Sequence, residues 1–262
     1  MVHTGDAPHV AEDGSFAAST PSLPVLQYYP VRGRAEPIRL VLSYVGRTWF
    51  ETPAASIRQI EGVMHREFDG YPFRQLPRFI DEGHEGGPPH GEVDLVQSQA
   101  IMRHLGRRHG LYGSDLVEAG RIDMILDAVV ELRAKIKTVV IDQRLDPGAV
   151  AAYAGSVMAP AEELKSSAMM GPGLASLEHI LASALYSGAG WAVGPSASIA
   201  DFALFNLTDL HLDHWSDLVR SRFPALAQHH GRVAALEGVA QYLASESRHP
   251  IAWGAEWAGE PK

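Results

Sequence analysis

The chain has 262 residues, 46% hydrophobic and 20% charged, which suits one large globular domain or two ordinary ones with a buried core. Its formal net charge of −9 leaves no basic surplus to neutralise phosphates, so nucleic acid is not an expected partner. Cysteine is absent, which excludes disulfides, thiolate–metal sites and a cysteine nucleophile; any thiol chemistry must use a thiol that a substrate brings.

Residues 1–22 hold Asp6, Glu12 and Asp13, no Lys or Arg, and many small residues, a composition that predicts a disordered extension. The stretch lacks the basic character of a transit peptide and the apolar centre of a signal peptide, so the cytoplasm is the default location. No apolar run reaches transmembrane length. Residues 23–27 read as a strand that delivers Tyr28 and Tyr29 into a Pro30-Val31-Arg32-Gly33-Arg34 loop. Strand alternation predicts that Tyr29 points away from Tyr28 and serves packing. Ile38, Val41, Leu42 and Val45 then fall on one helical face, with Gly46 as the stop.

Residues 48–52 are strand-like, and 57–67 suit a short, irregular helix. Residues 76–80 form a strand with Pro77 near its start, a position proline tolerates there or in a turn. A loop rich in Gly, Pro and His follows over 81–92, and 93–96 makes the returning strand. A helix from Ser98 to about His109 turns Ile101, Met102 and Leu105 inward. The order βαβ, helix, β-hairpin, helix is the thioredoxin-like arrangement, with mixed parallel and antiparallel pairing.

Gly110-Leu111-Tyr112-Gly113 reads as a linker, after which the chain is almost wholly helical. Ile122, Ile125, Val129, Leu132, Ile136 and Val139 mark one long apolar stripe. Leu174, Leu177, Ile180, Leu181 and Leu185 mark a second, and Val233, Leu236, Val239, Ala240 and Leu243 a late one. Ser198-Ile199-Ala200-Asp201 has the form of a capping box. The expected organisation is an extension (1–22), a thioredoxin-like domain (23–109), a linker (110–113), an all-helical domain (114–248) and a tail (249–262). Thirteen histidines raise the question of a metal. His211, Asp213 and His214 offer three ligands but lack an evident fourth and fall in a helix-connecting region, so no metal is expected.

Three places carry chemistry. Tyr28 ends a strand beside a helix start, where a phenol can donate to an anion; alone, it reads first as a partly buried core tyrosine. Gln97-Ser98 sits at another strand-to-helix junction, where N–H groups and the helix dipole suit a carboxylate and Ser98 also reads as an N-cap. Arg34 is a cation at the opening of the first helix.

Together with Gln75-Leu76-Pro77, Gln97-Ser98-Gln99-Ala100-Ile101, Arg103-His104-Leu105-Gly106, the Gly110–Gly113 run and Ser198–Asp201, the Tyr28–Arg34 block resembles the cytosolic glutathione transferases. The likeness covers roughly residues 23–245 and is nearest the tyrosine-type pi class, with sigma, mu and alpha related. It implies glutathione as co-substrate and Tyr28 as the hydroxyl that holds the thiol as thiolate, with Arg34 assisting. It further implies that Gln75, Leu76, Pro77, Gln97 and Ser98 bind glutathione, the last two at its γ-glutamyl end. Glu131 would reach the glutathione of a neighbouring subunit in a homodimer, and Phe73 would be an aromatic key inserted into that subunit, against the alternative of a core residue.

The resemblance implies conjugation of glutathione to small hydrophobic electrophiles, in a pocket lined by Ile136, Val140 and Ile141. An isomerase using the same Tyr28, and a non-catalytic binding relative, are alternatives. The chain departs from the family's pattern between Gln59 and Phe68, where a Trp and a Lys are missing; Arg66 or Arg58 would substitute. Ile141 stands where the pi class has a tyrosine.

Overall fold

The structure is a computed structural model and describes residues 2–3, 23–53, 56–64, 66, 70–81, 93–163, 171–183 and 190–251. Strands β2 (Val25–Gln27), β3 (Trp49–Glu51), β4 (Arg78–Asp81) and β5 (Val93–Val96) carry the sheet, with β2 parallel to β3 and antiparallel to β4. Helices α1 (Glu36–Tyr44), α2 (Ile57–Met64) and α3 (Ser98–Arg108) are interleaved with them. This is the thioredoxin-like arrangement expected from the element order. Register in the β4–β5 hairpin is reinforced by Arg78, whose guanidinium donates to both Asp94 oxygens at 2.7 and 2.6 Å.

One strand was not anticipated. Val2–His3 (β1) pairs in parallel with β3, giving the order β1-β3-β2-β4-β5. The extension predicted to be disordered throughout therefore contributes an edge strand, too short for any periodicity to reveal. The rest of it, the predicted 81–92 loop beyond Asp81, Leu185 and residues 252–262 lie outside the described residues.

The second half folds into α4 (Leu116–Lys137), α5 (Pro147–Ala154), α6 (Leu174–Ala182), α7 (Ile199–Arg222), α8 (Pro224–Ala234) and α9 (Glu237–Leu243). Asp115 caps α4, accepting from the Val117 and Glu118 N–H groups at 2.8 Å each. The helix ends in a π-turn over Thr138–Asp142. The predicted stripe is the buried face, with Ile122, Ile125, Leu126, Leu132 and Ile136 fully enclosed against α7.

Two expectations about helix continuity are corrected. The late stripe spans two helices: the backbone turns extended at Leu236 (φ −62°, ψ 130°) between α8 and α9. The turn lets α9 approach α1 so closely that a Cβ on Gly238 would collide with the Ser43 carbonyl. His211 and His214 lie within α7, not between helices; the non-helical residue is Trp215 (φ −140°, ψ 47°), which kinks but does not end it. His211 is buried. With its Nδ1 donating to the Leu207 carbonyl at 2.8 Å, its Nε2 accepts from the Tyr153 hydroxyl at 2.8 Å. Burial lowers the His211 pKa to about 4, so the ring is neutral. No described helix is long and apolar enough to cross a membrane.

Helix α1 is buried on more sides than its single stripe suggested. Leu40 and Arg39 are enclosed along with Ile38, Val41 and Leu42, because α1 is packed against α3 and also against α7 and α9. It is the shared wall of the sheet and the helical bundle.

Candidate active site

A cavity of about 270 Å³ opens at the C-terminal end of β2, lined by Tyr28, Tyr29, Arg34, Met64, Arg74, Gln75, Leu76, Pro77, Gln97 and Ser98. Six of the residues singled out from sequence as contacts of a bound thiol tripeptide therefore share one wall system: Tyr28, Gln75, Leu76, Pro77, Gln97 and Ser98, joined by Arg34. The Leu76–Pro77 bond is cis.

Tyr28 is 8% exposed. Its oxygen accepts from the Arg34 backbone N–H at 2.9 Å, which leaves the phenolic proton for another acceptor. Gly33 makes that closeness possible. It stands at φ +43°, and a Cβ there would lie 2.7 Å from Tyr28 Cε1. The Arg39 guanidinium sits 5.8 Å from the Tyr28 ring centroid and further fixes the ring.

Ser98 is buried, and it is the first helical residue of α3, not its N-cap. Gln97 takes the cap position in a left-handed conformation (φ +72°), and its side-chain amide donates to Gln75 Oε1 at 3.3 Å. The α3 N-terminus is thereby turned toward the cavity with a hydroxyl at its mouth.

Tyr29 does not point away. It lines the same cavity and donates to Glu61 Oε1 at 3.1 Å, and burial, with the Glu61 carboxylate, pushes its pKa to about 12. The alternation argument failed because β2 ends at Gln27, two residues before it.

Other predicted residues lie elsewhere. Arg66 is exposed, does not line the cavity, and its Nε donates to the Gly62 carbonyl at 2.9 Å, so the expected substitution by Arg66 is not seen. An arginine one turn after Gly62 finds a free carbonyl on its own helix end. The Arg58 side chain lies outside the described part. Glu131 is on an exposed face of α4, paired with Lys135 at 2.7 Å. Ile136 is fully buried and Val140 nearly so, both in the core cluster, while Ile141 is half-buried in the π-turn. Phe73 is 61% exposed, which removes the core reading.

Two residues escaped sequence reasoning. Arg74 lines the cavity from a left-handed position (φ +52°). Arg133, embedded in the α4 stripe between Leu132 and Ile136, donates from Nη1 to Asn206 Oδ1. Burial brings its pKa down to about 10, against the charge interaction with Tyr28. A charged residue inside an apolar stripe was the available signal for Arg133. Among the described residues, no cluster of three His, Asp or Glu groups is placed to hold a metal ion.

A thioredoxin-like sheet followed by a helical bundle, with a polar cavity where β2 and β5 hand over to helices, defines the two-part glutathione-transferase class of proteins. The comparisons agree. Residues 155–246 match the family model for the glutathione S-transferase C-terminal domain. Glutathione S-transferase P 1 of Xenopus laevis is 34% identical over 225 residues, covering 86% of this chain and 93% of that protein. Glutathione S-transferase P of Homo sapiens is 30% identical over 218 residues, covering 83% and 90%. The pi-class glutathione S-transferase of Onchocerca volvulus superposes with a TM-score of 0.65 at 26% identity, covering 84% of this chain and 91% of that one. The chain belongs to the glutathione S-transferase family, and its relatives here carry the P or pi-class name.

Proposed function

We propose that the protein conjugates the thiol of glutathione to small hydrophobic electrophiles, in keeping with a detoxifying role. The observation that carries the reading is Tyr28: a buried phenol whose oxygen accepts from Arg34 N–H and whose proton is available to the cavity. A sulfur there receives that proton as a hydrogen bond. A free thiol has a pKa near ~8.5 and is mostly protonated at neutral pH. A hydrogen bond to a charged acceptor is worth about 1.5–3 kcal/mol and a pKa unit about 1.4, so one such contact lowers the thiol pKa by about one to two units.

The remaining groups position the tripeptide. Ser98 and the α3 N-terminus take the γ-glutamyl carboxylate, Gln97 and Gln75 supply amides, and Leu76 pairs its backbone with the cysteinyl unit. Arg34 adds positive charge on the sulfur side. The thiol proton leaves to solvent before attack; the sulfur then forms its bond to carbon as the leaving group departs. No covalent enzyme intermediate is involved, and rate comes from thiolate stabilisation and proximity.

The electrophile lies between this cavity and the C-terminal end of α4, toward Val140 and Ile141. We read the protein as a cytoplasmic homodimer in which Phe73 inserts into the partner and Glu131 turns to the partner's ligand. The 61% exposure of Phe73 and the 91% exposure of Leu116 support an apolar subunit contact. Conjugation of glutathione to chlorodinitrobenzene tests the central reading. Wild type should turn over, and Tyr28→Phe should lose about 10- to 100-fold in kcat/KM at neutral pH. Equal activity in the two would refute the role of Tyr28.

A further inference from the structure

Tyr28 turns its proton to the cavity because the Arg34 N–H occupies its oxygen, so the 30–34 loop must be held in place. Its own backbone cannot do this. Gly33 stands between Arg32 and Arg34 at φ +43°, and glycine has the widest conformational freedom of any residue. The restraint comes from outside the loop.

Two parts of the chain supply it. From α1, the buried Arg39 guanidinium donates from Nη1 to the Val31 and Arg32 carbonyls at 2.9 and 3.2 Å. From the far end of the chain, the segment that follows α9 takes hold of Arg32. The Pro250 carbonyl accepts from the Arg32 backbone N–H at 3.2 Å, and the His249 carbonyl accepts from its Nε at 3.0 Å. Arg32 Nη1 donates to Asp209 in α7 at 3.1 Å. The segment is itself anchored, since Arg248 donates to Asp209 at 2.7 Å and to the buried Glu36 of α1 at 3.2 Å. Tyr242 donates to the other oxygen of Glu36 at 2.9 Å, which ties α9 to the same point.

Neither Arg32 nor residues 248–250 line the cavity. Their hydrogen bonds reach the loop one residue before Gly33 and two before the N–H that Tyr28 accepts. We propose that residues 248–250 form a strap across this loop, and that Arg32, held by the strap, is a positioning residue that keeps the Arg34 N–H on the Tyr28 oxygen. A segment 217 residues further along the chain thereby sets the acidity of the bound thiol without touching it. The inference rests on the glutathione reading above.

Ultraviolet titration of the thiol in the glutathione complex tests this in wild type, Arg32→Gln, Asp209→Asn and Tyr28→Phe. The double variant Tyr28→Phe/Arg32→Gln closes the cycle. Arg32→Gln should raise the bound thiol pKa by about half to one unit, part of the one to two units assigned to the Tyr28 contact. Below that pKa, kcat should fall about three- to tenfold while the glutathione KM changes little. Asp209→Asn should move the thiol pKa in the same direction, because it loosens the same hold. Direct charge effects would do otherwise: losing a cation raises a thiol pKa, whereas losing an anion lowers it. In the Tyr28→Phe background, Arg32→Gln should add nothing, because the loop then has no phenol to orient. A wild-type thiol pKa in Arg32→Gln would overturn the proposal. So would opposite shifts in the two single variants, or an undiminished effect of Arg32→Gln in the Tyr28→Phe background. Should Arg32→Gln not fold, the sign in Asp209→Asn decides: a rise supports the strap, and a fall or no change overturns it. A wild type that does not bind glutathione, or a Tyr28→Phe complex with the wild-type thiol pKa, would remove the glutathione reading and this inference together.

Discussion

At the scale of single residues, the site depends on who may approach whom. Tyr28 can present its proton because Arg34 N–H occupies its oxygen, and that contact depends on the missing side chain of Gly33. Adding a methyl at Gly33 would drive a Cβ into the Tyr28 ring and strain a residue at φ +43°. Gly33→Ala should therefore cost activity and stability together: about 1–3 kcal/mol by chemical denaturation, with kcat falling more than glutathione affinity. Unchanged kcat would show that the phenol tolerates displacement. Tyr28, Gln97 and Ser98 were legible in the sequence because each stands at a strand-to-helix junction inside a motif block that carries the family resemblance. Tyr29 was not, because a period-two argument was carried past Gln27, where β2 ends, into residues that are no longer strand. Arg74 was invisible because nothing local marks an arginine as left-handed; the constraint comes from Tyr71 and its anchors elsewhere in the sheet.

At the scale of elements, the start of α7 shows how a local motif acquires a tertiary role. The capping box was readable as Ser198 and Asp201, and the pair is joined: Asp201 Oδ2 accepts from the Ser198 N–H at 2.8 Å and its hydroxyl at 2.9 Å. Its other oxygen accepts from Ala192 N–H at 2.7 Å and faces His229 Nε2 at 2.8 Å. One fully buried carboxylate thus ties the α7 start to the preceding loop and to α8. Asp201→Ala would leave several buried donors without an acceptor, so an unfolding loss of about 3 kcal/mol or more is expected, well above an exposed cap. A loss below ~1 kcal/mol would mean the contacts are dispensable. The break between α8 and α9 was not legible, since the apolar spacing runs on through it. What breaks the helix is the demand that Gly238 meet Ser43 of α1, a contact between distant parts of the chain.

At the scale of the whole molecule, a chain of ion pairs clasps the N-terminal sheet layer to the end of the helical bundle. Arg39 in α1 is fully buried and binds Glu51 at 2.6 Å; Arg248 reaches Glu36 at 3.2 Å and Asp209 at 2.7 Å, and Arg32 also meets Asp209 at 3.1 Å. Burial alone would raise the Glu51 pKa, but Arg39, His249 and Trp49 outweigh it and hold the carboxyl at about 2, while Asp209 is lowered by its His230 and arginine neighbours against a similar burial penalty. A carboxylate with a depressed folded pKa stabilises above its unfolded value and loses that contribution as pH falls. Thermal midpoints should thus be level near neutrality and drop as pH falls below about 4.5 toward 2, with a shallower drop in Glu51→Gln. Identical acid profiles in both proteins would count against the clasp. The sequence revealed the two-part architecture through its change from mixed strands and helices to helix alone. It could not reveal the clasp, because Arg32, Arg39, Asp209 and Arg248 are ordinary surface residue types until the fold buries them.

In the proposed mechanism, Tyr28 holds a borrowed thiol as its anion. Ultraviolet titration of thiolate in the glutathione complexes of wild type and Tyr28→Phe measures this directly, without an electrophile. The bound thiol should titrate about one to two units below the free value near ~8.5 in wild type, and close to the free value in Tyr28→Phe. A thiol pKa that is the same in both complexes would contradict it.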